Sequence, residues 1–265
     1  MSYIKTNKEA WEHAFKHRSG HYAEDITQRL LQEENPFFED DFYSLINKYH
    51  FKEKTVGQFC TNNGRELLQL SLKGVKQAIG FDIAKSMVDY SNSVAQKLNI
   101  PAKFVETDIL KITKDYYGFF DYGLITVGAL PWFEDLDAFF NIVSKTLKPN
   151  ATLFIHEAHP LALMLPSPGE EAYSKRCEKQ LTYPYFGKKI WQEHSMGYMS
   201  NETSKEIVFT SFSHTLSDIF TALIKNDFEI TLFKEYDYCV GNMFNHLDNQ
   251  SYPLSMVIIA KKIKA

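Results

Sequence analysis

The sequence is short of cysteine. Its 265 residues contain only Cys60, Cys177 and Cys239. These are widely spread and form no CxxC pair, which excludes a disulfide framework and a cysteine-based zinc site. Reduced thiols, and hence a cytoplasmic location, are the corresponding expectation. Long apolar runs are also missing. The start, MSYIKTNKEAWEH, has no apolar core of signal-peptide length, and the longest apolar stretch, near residues 256–260, falls far short of a membrane span. Positive charge is not in surplus either: 29 Lys and Arg stand against 33 Asp and Glu, a net charge of −4. No basic tail or stripe stands out, which argues against nucleic acid or a membrane surface as a partner. Internal repeats, low-complexity tracts and Gly/Ser linkers are absent.

What the chain has in quantity is aromatic side chains, with 21 Phe and 15 Tyr. They suit a large core and an aromatic-lined cavity alike. Residues 1–50 are polar and aromatic with helical spacing. Trp11, Ala14 and Phe15 share one face, and Ile26, Leu30 and Leu31 another. Gly20 and Pro36 divide this segment into short helices. From residue 55 the texture changes. Strands are expected at 55–60, 77–82, 102–105, 122–127 and 151–155, and helices at 64–72, 86–98 and 136–147. Strands alternating with helices predict right-handed crossovers and an α/β, doubly wound, mostly parallel sheet. Residues 161–204 are rich in Pro, Gly, Tyr and Met and poorly periodic. A strand at 207–212, a helix at 216–225 and strands at 229–236 and 254–260 follow. The last two strands have no helix between them, so one antiparallel member is expected in the edge region of the sheet.

In such a sheet a ligand lies outside the carboxyl ends of the strands. The turn after the first strand reads Gln58-Phe59-Cys60-Thr61-Asn62-Asn63-Gly64-Arg65-Glu66. Asparagine tolerates left-handed backbone, and the helix that follows offers free N–H groups to an anion. A tight turn without a ligand is the plainer alternative. Asp82 ends the second strand, placed to accept from vicinal ribose hydroxyls or to cap a helix. Asp108 ends the third. Polar groups on three neighbouring strand ends suggest an adenosine-type ligand. The GxGxxG signature is absent, which disfavours a nicotinamide-dependent oxidoreductase.

With these residues in view the sequence resembles the class I S-adenosylmethionine-dependent methyltransferases, over most of its length. Residues 56–64 (VGQFCTNNG) resemble the family's glycine-rich turn, with Gln58 in the acidic position and Cys60 and Asn62 in place of its first two glycines. Residues 79–87 (IGFDIAKSM) are similar to the ribose-binding strand end. Residues 104–110 (FVETDIL) resemble the adenine-binding motif, 120–132 (FDYGLITVGALPW) the fourth strand and its loop, and 147–153 (LKPNATL) the turn before the fifth strand. Asn7 and Trp11, with GALPWFEDL, HEAHP and YPYF, resemble a subgroup of uncharacterised bacterial small-molecule methyltransferases.

The resemblance implies a Rossmann-like fold, with a helical lid at 1–50 and a methyltransferase domain at 51–265 carrying an insertion at about 161–214. It implies S-adenosylmethionine as cofactor and in-line methyl transfer to a small-molecule acceptor by a monomer or homodimer. Gln58, Cys60, Asn62 and Gly64 would surround the methionine part, and Asp82, Ile83 and Met87 the ribose. Thr107, Asp108 and Ile109 would flank the adenine. Thr126, Val127 and Gly128 would form the floor, with Trp11 and Tyr22 in the lid. Trp132, Glu157, His159, Tyr185 and His214 would face the acceptor, and His159 is the candidate general base. Strand alternation puts His156 opposite Glu157, so Glu157 and His159 are the pair expected near the pocket. Structural packing is the alternative for Trp132 and the histidines. Two lost glycines leave a second reading open, a module that binds the cofactor without turnover. No metal is expected: His13, His17 and His21 recur every four residues, but Gly20 interrupts them, and in HEAHP the histidines are three apart with Pro160 following.

Overall fold

The computed structural model describes residues 2–187, 189–200 and 206–263. Three short helices come first, α1 (Tyr3–Lys16), α2 (Thr27–Gln32) and α3 (Asp40–Ile46). Gly20, at φ 56°, separates the first two, and Pro36 lies between the second and third. Five strands then alternate with helices: β1 (Thr55–Phe59), α4 (Arg65–Ser71), β2 (Gln77–Asp82), α5 (Lys85–Lys97), β3 (Ala102–Glu106), β4 (Phe120–Thr126), α6 (Leu136–Thr146) and β5 (Leu147–Ala158). A two-stranded hairpin, β6 (Ile190–Glu193) with β7 (Phe209–Phe212), lies within the expected insertion. Residues 188 and 201–205 of that insertion fall outside the described residues. The chain closes with α7 (Leu216–Lys225), β8 (Phe228–Tyr236) and β9 (Ser255–Lys262).

The main sheet has the order β3-β2-β1-β4-β5-β9-β8. β1 to β5 are parallel, and β9 runs antiparallel to both its neighbours. The antiparallel strand anticipated near the edge is therefore β9, one place in, and β8 is the edge itself. Because β9 is covered on both faces, Met256–Ala260 is buried throughout, which explains its unbroken apolar run. β5 starts earlier than its sequence suggests. Pro149 and Asn150, with Asn150 at φ 64°, read as a turn but form an irregularity inside the strand opposite Phe120 and Tyr122.

One face of the sheet packs against α6 and α7 through Phe59, Ile125, Ile155 and Ile258. The other carries Val56, Leu124, Phe154 and Val257 against the α2–α3 segment, α4 and α5. Phe104 on β3 fills a gap that glycine creates. A Cβ on Gly64 would lie 2.5 Å from its ring, and one on Gly80 2.4 Å. The order of succession of the strands reverses between β1 and β4, which opens a crevice at their carboxyl ends. No described helix is long and apolar enough to cross a membrane.

α1 closes over that crevice and is fastened to the hairpin. The Asn7 side chain donates to the Thr210 carbonyl at 2.8 Å and accepts from its N–H at 2.7 Å. It thereby replaces a missing strand partner at the β7 edge. Trp11 meets Phe209 edge-on at 5.2 Å, and Tyr3 meets Phe212 at 5.0 Å. Glu12 accepts from the Ser86 N–H at the start of α5. Replacing Asn7 by Ala leaves two buried backbone groups unpaired. Asn7→Ala is expected to lower unfolding free energy by about 2 kcal/mol and to expose α1 to limited proteolysis. Unchanged denaturant midpoint and cleavage pattern would show that the clamp holds nothing.

Candidate functional site

A cavity of about 570 Å³ lies across the carboxyl ends of the parallel strands. That is in the range of small-molecule sites. Its first wall is the β1–α4 turn. Cys60, Asn62 and Gly64 have φ of 61°, 51° and 72°. The two positions without glycine keep the left-handed backbone that glycine would adopt freely. For Asn62 this costs little, whereas Cys60 bears strain of about 1 kcal/mol. The turn is held by the Thr61 N–H on the Phe81 carbonyl at 3.1 Å and the Gly64 N–H on the Thr61 carbonyl at 2.9 Å. Gly64 itself faces Phe104 and not the cavity.

Asp82 sits beside this turn and lines the cavity. Its carboxylate accepts from the Asn62 N–H at 2.7 Å and the Ala84 N–H at 3.0 Å. Burial pushes its pKa up to about 6, against the pull of those donors. Asp108 caps the following turn through the Leu110 N–H at 3.0 Å. Thr107 points away from the cavity and ties the two strand ends together, its N–H donating to the Asp82 carbonyl at 2.8 Å. Ile83, Met87 and Ile109 supply apolar lining. Burial, then Asp82, Glu157 and Asp108, hold the Cys60 thiol well above its ordinary pKa, so it stays neutral. Three carboxylates around the half-buried Cys60 thiol put negative charge at this end of the cavity, suited to a cation.

Thr126, Val127 and Gly128 form the floor. Gln58 lies fully buried beneath it, donating from Nε2 to Thr126 Oγ1 at 2.8 Å. Its Oε1 has no hydrogen-bond partner among the described residues, and neither has Thr61 Oγ1. Glu157 lines the cavity, but its oxygens are occupied. They accept from the N–H groups of Gly128 at 2.6 Å, Ala129 at 2.8 Å, Leu130 at 3.2 Å and Ala158 at 2.9 Å. Burial raises its pKa and these donors oppose the rise. Its role is to hold the loop after β4.

The histidines reverse the order expected of them. His159 lies outside the cavity. β5 ends at Ala158, and the His159 N–H turns to the Leu254 carbonyl at 2.9 Å. The imidazole takes the Leu161 N–H on Nδ1 at 3.0 Å and sets Nε2 3.0 Å from Glu235. His156 lines the cavity instead. Alternation does put it on the opposite face from Glu157, but the cavity spans the strand ends and reaches both faces. Trp11, Tyr22 and Trp132 line the cavity as expected, with Trp11 edge-on to Trp132 at 5.2 Å. Tyr185 and His214 do not. The Tyr185 hydroxyl accepts from the Leu216 N–H at 3.0 Å, at the start of α7, and His214 Nε2 lies 2.8 Å from the Phe133 carbonyl.

Other lining residues carried no earlier expectation. Arg65, the first residue of α4, lines the cavity with Nε 2.9 Å from Glu66 and its guanidinium over the Tyr22 ring. Its place directly after Gly64 was a signal available in the sequence. Phe37, Phe38 and the segment 240–244 after β8 also contribute. They come from parts of the chain that no motif marks.

The family model for the methyltransferase domain matches residues 59–227, and the chain belongs to that family. It is a class I S-adenosylmethionine-dependent methyltransferase, with S-adenosylmethionine as cofactor. Solved structures agree on the fold. A candidate S-adenosylmethionine-dependent methyltransferase from Listeria monocytogenes is 18% identical, with TM-score 0.62, covering 84% of this chain and 98% of that one. A methyltransferase from Methanosarcina mazei is 17% identical, with TM-score 0.60, covering 84% and 99%. The geranyl diphosphate C-methyltransferase of Streptomyces coelicolor, solved with Mg²⁺, geranyl diphosphate and S-adenosylhomocysteine, is 12% identical, with TM-score 0.61, covering 99% and 98%. A search of curated proteins finds no match.

The residues at this end fit the cofactor. Thr61 lines the cavity with an unpartnered buried hydroxyl, and the carboxylates suit a cationic ligand. Gln58, expected beside the methionine part, does not line the cavity but lies buried behind it with an unpartnered Oε1. The Glu157 clamp can be tested on its own. Glu157→Gln puts an NH₂ group against backbone donors, so it is expected to lower unfolding free energy by about 2–3 kcal/mol. Faster amide hydrogen exchange at Gly128–Leu130 should accompany the loss. Wild-type stability and exchange in the variant would mean that the carboxylate does not hold this loop.

Proposed function

We propose that this chain methylates a small, largely apolar molecule held in the same cavity as the cofactor. The observation that carries the reading is one cavity with two characters. At one end stand Asp82, Asp108 and the left-handed turn, and away from them a largely aromatic and aliphatic wall that also carries Glu39, Glu170 and Glu193. S-adenosylmethionine, when bound, supplies a methyl group on a positively charged sulfur.

Asp82 would accept from the ribose hydroxyls and Asp108 from the adenine amine, with Ile83, Met87 and Ile109 packing around them. Thr61 Oγ1 is the acceptor for the ammonium, and Arg65 is the cation for the carboxylate. Trp11 and Trp132 exclude water from the reacting atoms, and the fixed floor orients them. Glu157 and His159 remove no proton in this scheme, because one is consumed by backbone donors and the other lies outside the cavity. Rate enhancement then comes from positioning. The alternative, binding without turnover, draws on the Cys60 side chain at a glycine position. It is separated by S-adenosylhomocysteine formation against a panel of acceptors.

Isothermal titration with S-adenosylmethionine and S-adenosylhomocysteine, with NADH as control, tests the reading directly. Micromolar binding of the first two is expected. Asp82→Ala should weaken it by more than about tenfold, because a charged acceptor for two hydroxyls is lost. A folded variant with unchanged affinity removes Asp82 from the site.

The pH dependence follows from the raised pKa of Asp82, about 6. The ionised carboxylate accepts from hydroxyls and the protonated one does so poorly. Affinity for S-adenosylhomocysteine is therefore expected to be flat above pH 6 and to weaken by up to about tenfold per pH unit below it. The same titration at pH 5.0 and 7.5 checks this. An equal affinity at both pH values would contradict the assignment.

A further inference from the structure

We propose that the acceptor is a neutral aromatic or otherwise apolar molecule bearing one hydroxyl or amine, and that His156 receives that group. The inference rests on the methyl-transfer reading above and assigns the acceptor half of its cavity. His156 lies on β5 between Thr126 of β4 and Val257 of β9. It is 2% exposed, lines the cavity, and stacks on Phe42 with ring centroids 4.7 Å apart. Its Nε2 is buried without a hydrogen-bond partner among the described residues. A buried polar atom is normally satisfied, so an unsatisfied one beside a cavity marks the place of a ligand group.

The surroundings define that ligand. Phe38 lines the cavity and packs on Phe42, with centroids 5.6 Å apart. Leu165 and Phe244 pack together in a separate apolar cluster and also face the cavity. Val240 lines it from the segment after β8. The next residue, Gly241, presses so closely on Val127 that a Cβ would lie 3.3 Å from its side chain. That contact brings the apolar wall up to the floor at the end of β4. Burial alone drives the His156 pKa down to about 3, so the ring is uncharged near neutrality. Glu39, Glu170 and Glu193 also line the cavity, so a negative charge on the acceptor would be costly there. A hydroxyl or an uncharged aryl amine both donates and accepts, so it satisfies either tautomer of a neutral imidazole.

Binding of 2-naphthol and 2-methylnaphthalene to the S-adenosylhomocysteine-loaded protein tests the inference. The probes match in size and differ in the hydroxyl, and ligand fluorescence reports both. Wild type is expected to bind 2-naphthol about tenfold more tightly. His156→Phe, which keeps a ring to stack on Phe42, should abolish the preference, and His156→Gln should restore part of it. Equal affinities in wild type, no binding of either probe, or a preference that survives in His156→Phe would each overturn the inference. S-adenosylhomocysteine titration of each protein comes first. If wild type fails to bind it, the methyl-transfer reading falls and this inference with it. If it binds normally and the hydroxyl preference is missing, only the assignment of His156 falls.

Discussion

A buried carboxylate that accepts four backbone amides governs the geometry of this site. Glu157 is the last residue but one of the fifth parallel strand, and three of its donors belong to the loop that follows the fourth. An ionised group at that depth survives only if its lone pairs are met, and the loop supplies the donors at its own turn. The loop in return obtains a fixed course into the short 3-10 turn Leu130–Trp132. Val127 and Gly128 are thereby held as a floor, and Trp132 is delivered to face Trp11. The clamp also leaves this glutamate, whose pKa burial raises, with both oxygens already engaged by backbone donors.

The turn after β1 shows how backbone conformation outlives residue identity. Cys60 and Asn62 occupy left-handed conformations in which glycine would be unstrained, and the hydrogen bonds of the turn hold them there. Gly64 is required for a different reason, since the Phe104 ring leaves no room for a Cβ. Three positions that look alike in a motif therefore answer to separate constraints. Two concern the shape of the backbone, and one concerns the core beneath it.

Much of the fold could be read from periodicity because helix and strand lengths here follow burial closely. β9 was legible as a continuous apolar run. β5 was read short because Pro149 and Asn150 carry turn chemistry inside a paired strand. The cavity residues proposed for the cofactor could be picked out too, since they follow strand ends in sequence order. Those proposed for the acceptor could not. Phe38, Val240 and His156 lie far apart in the chain and meet only because the segment before α3, the segment after β8 and β5 converge on one cavity. Strand alternation also misled at His156 and His159: it tells which face a side chain takes, but not that a cavity at the strand ends is open to both faces.

The Asn7–Thr210 clamp has a consequence for access to the cavity. α1 and the β6–β7 hairpin cover the cavity together, with Trp11 near the cofactor residues and Trp191 and Phe212 on the hairpin side. If donor and acceptor share the cavity as proposed, both lie under this one fastened pair of elements. Loosening the Asn7–Thr210 contact would then alter the access of both together.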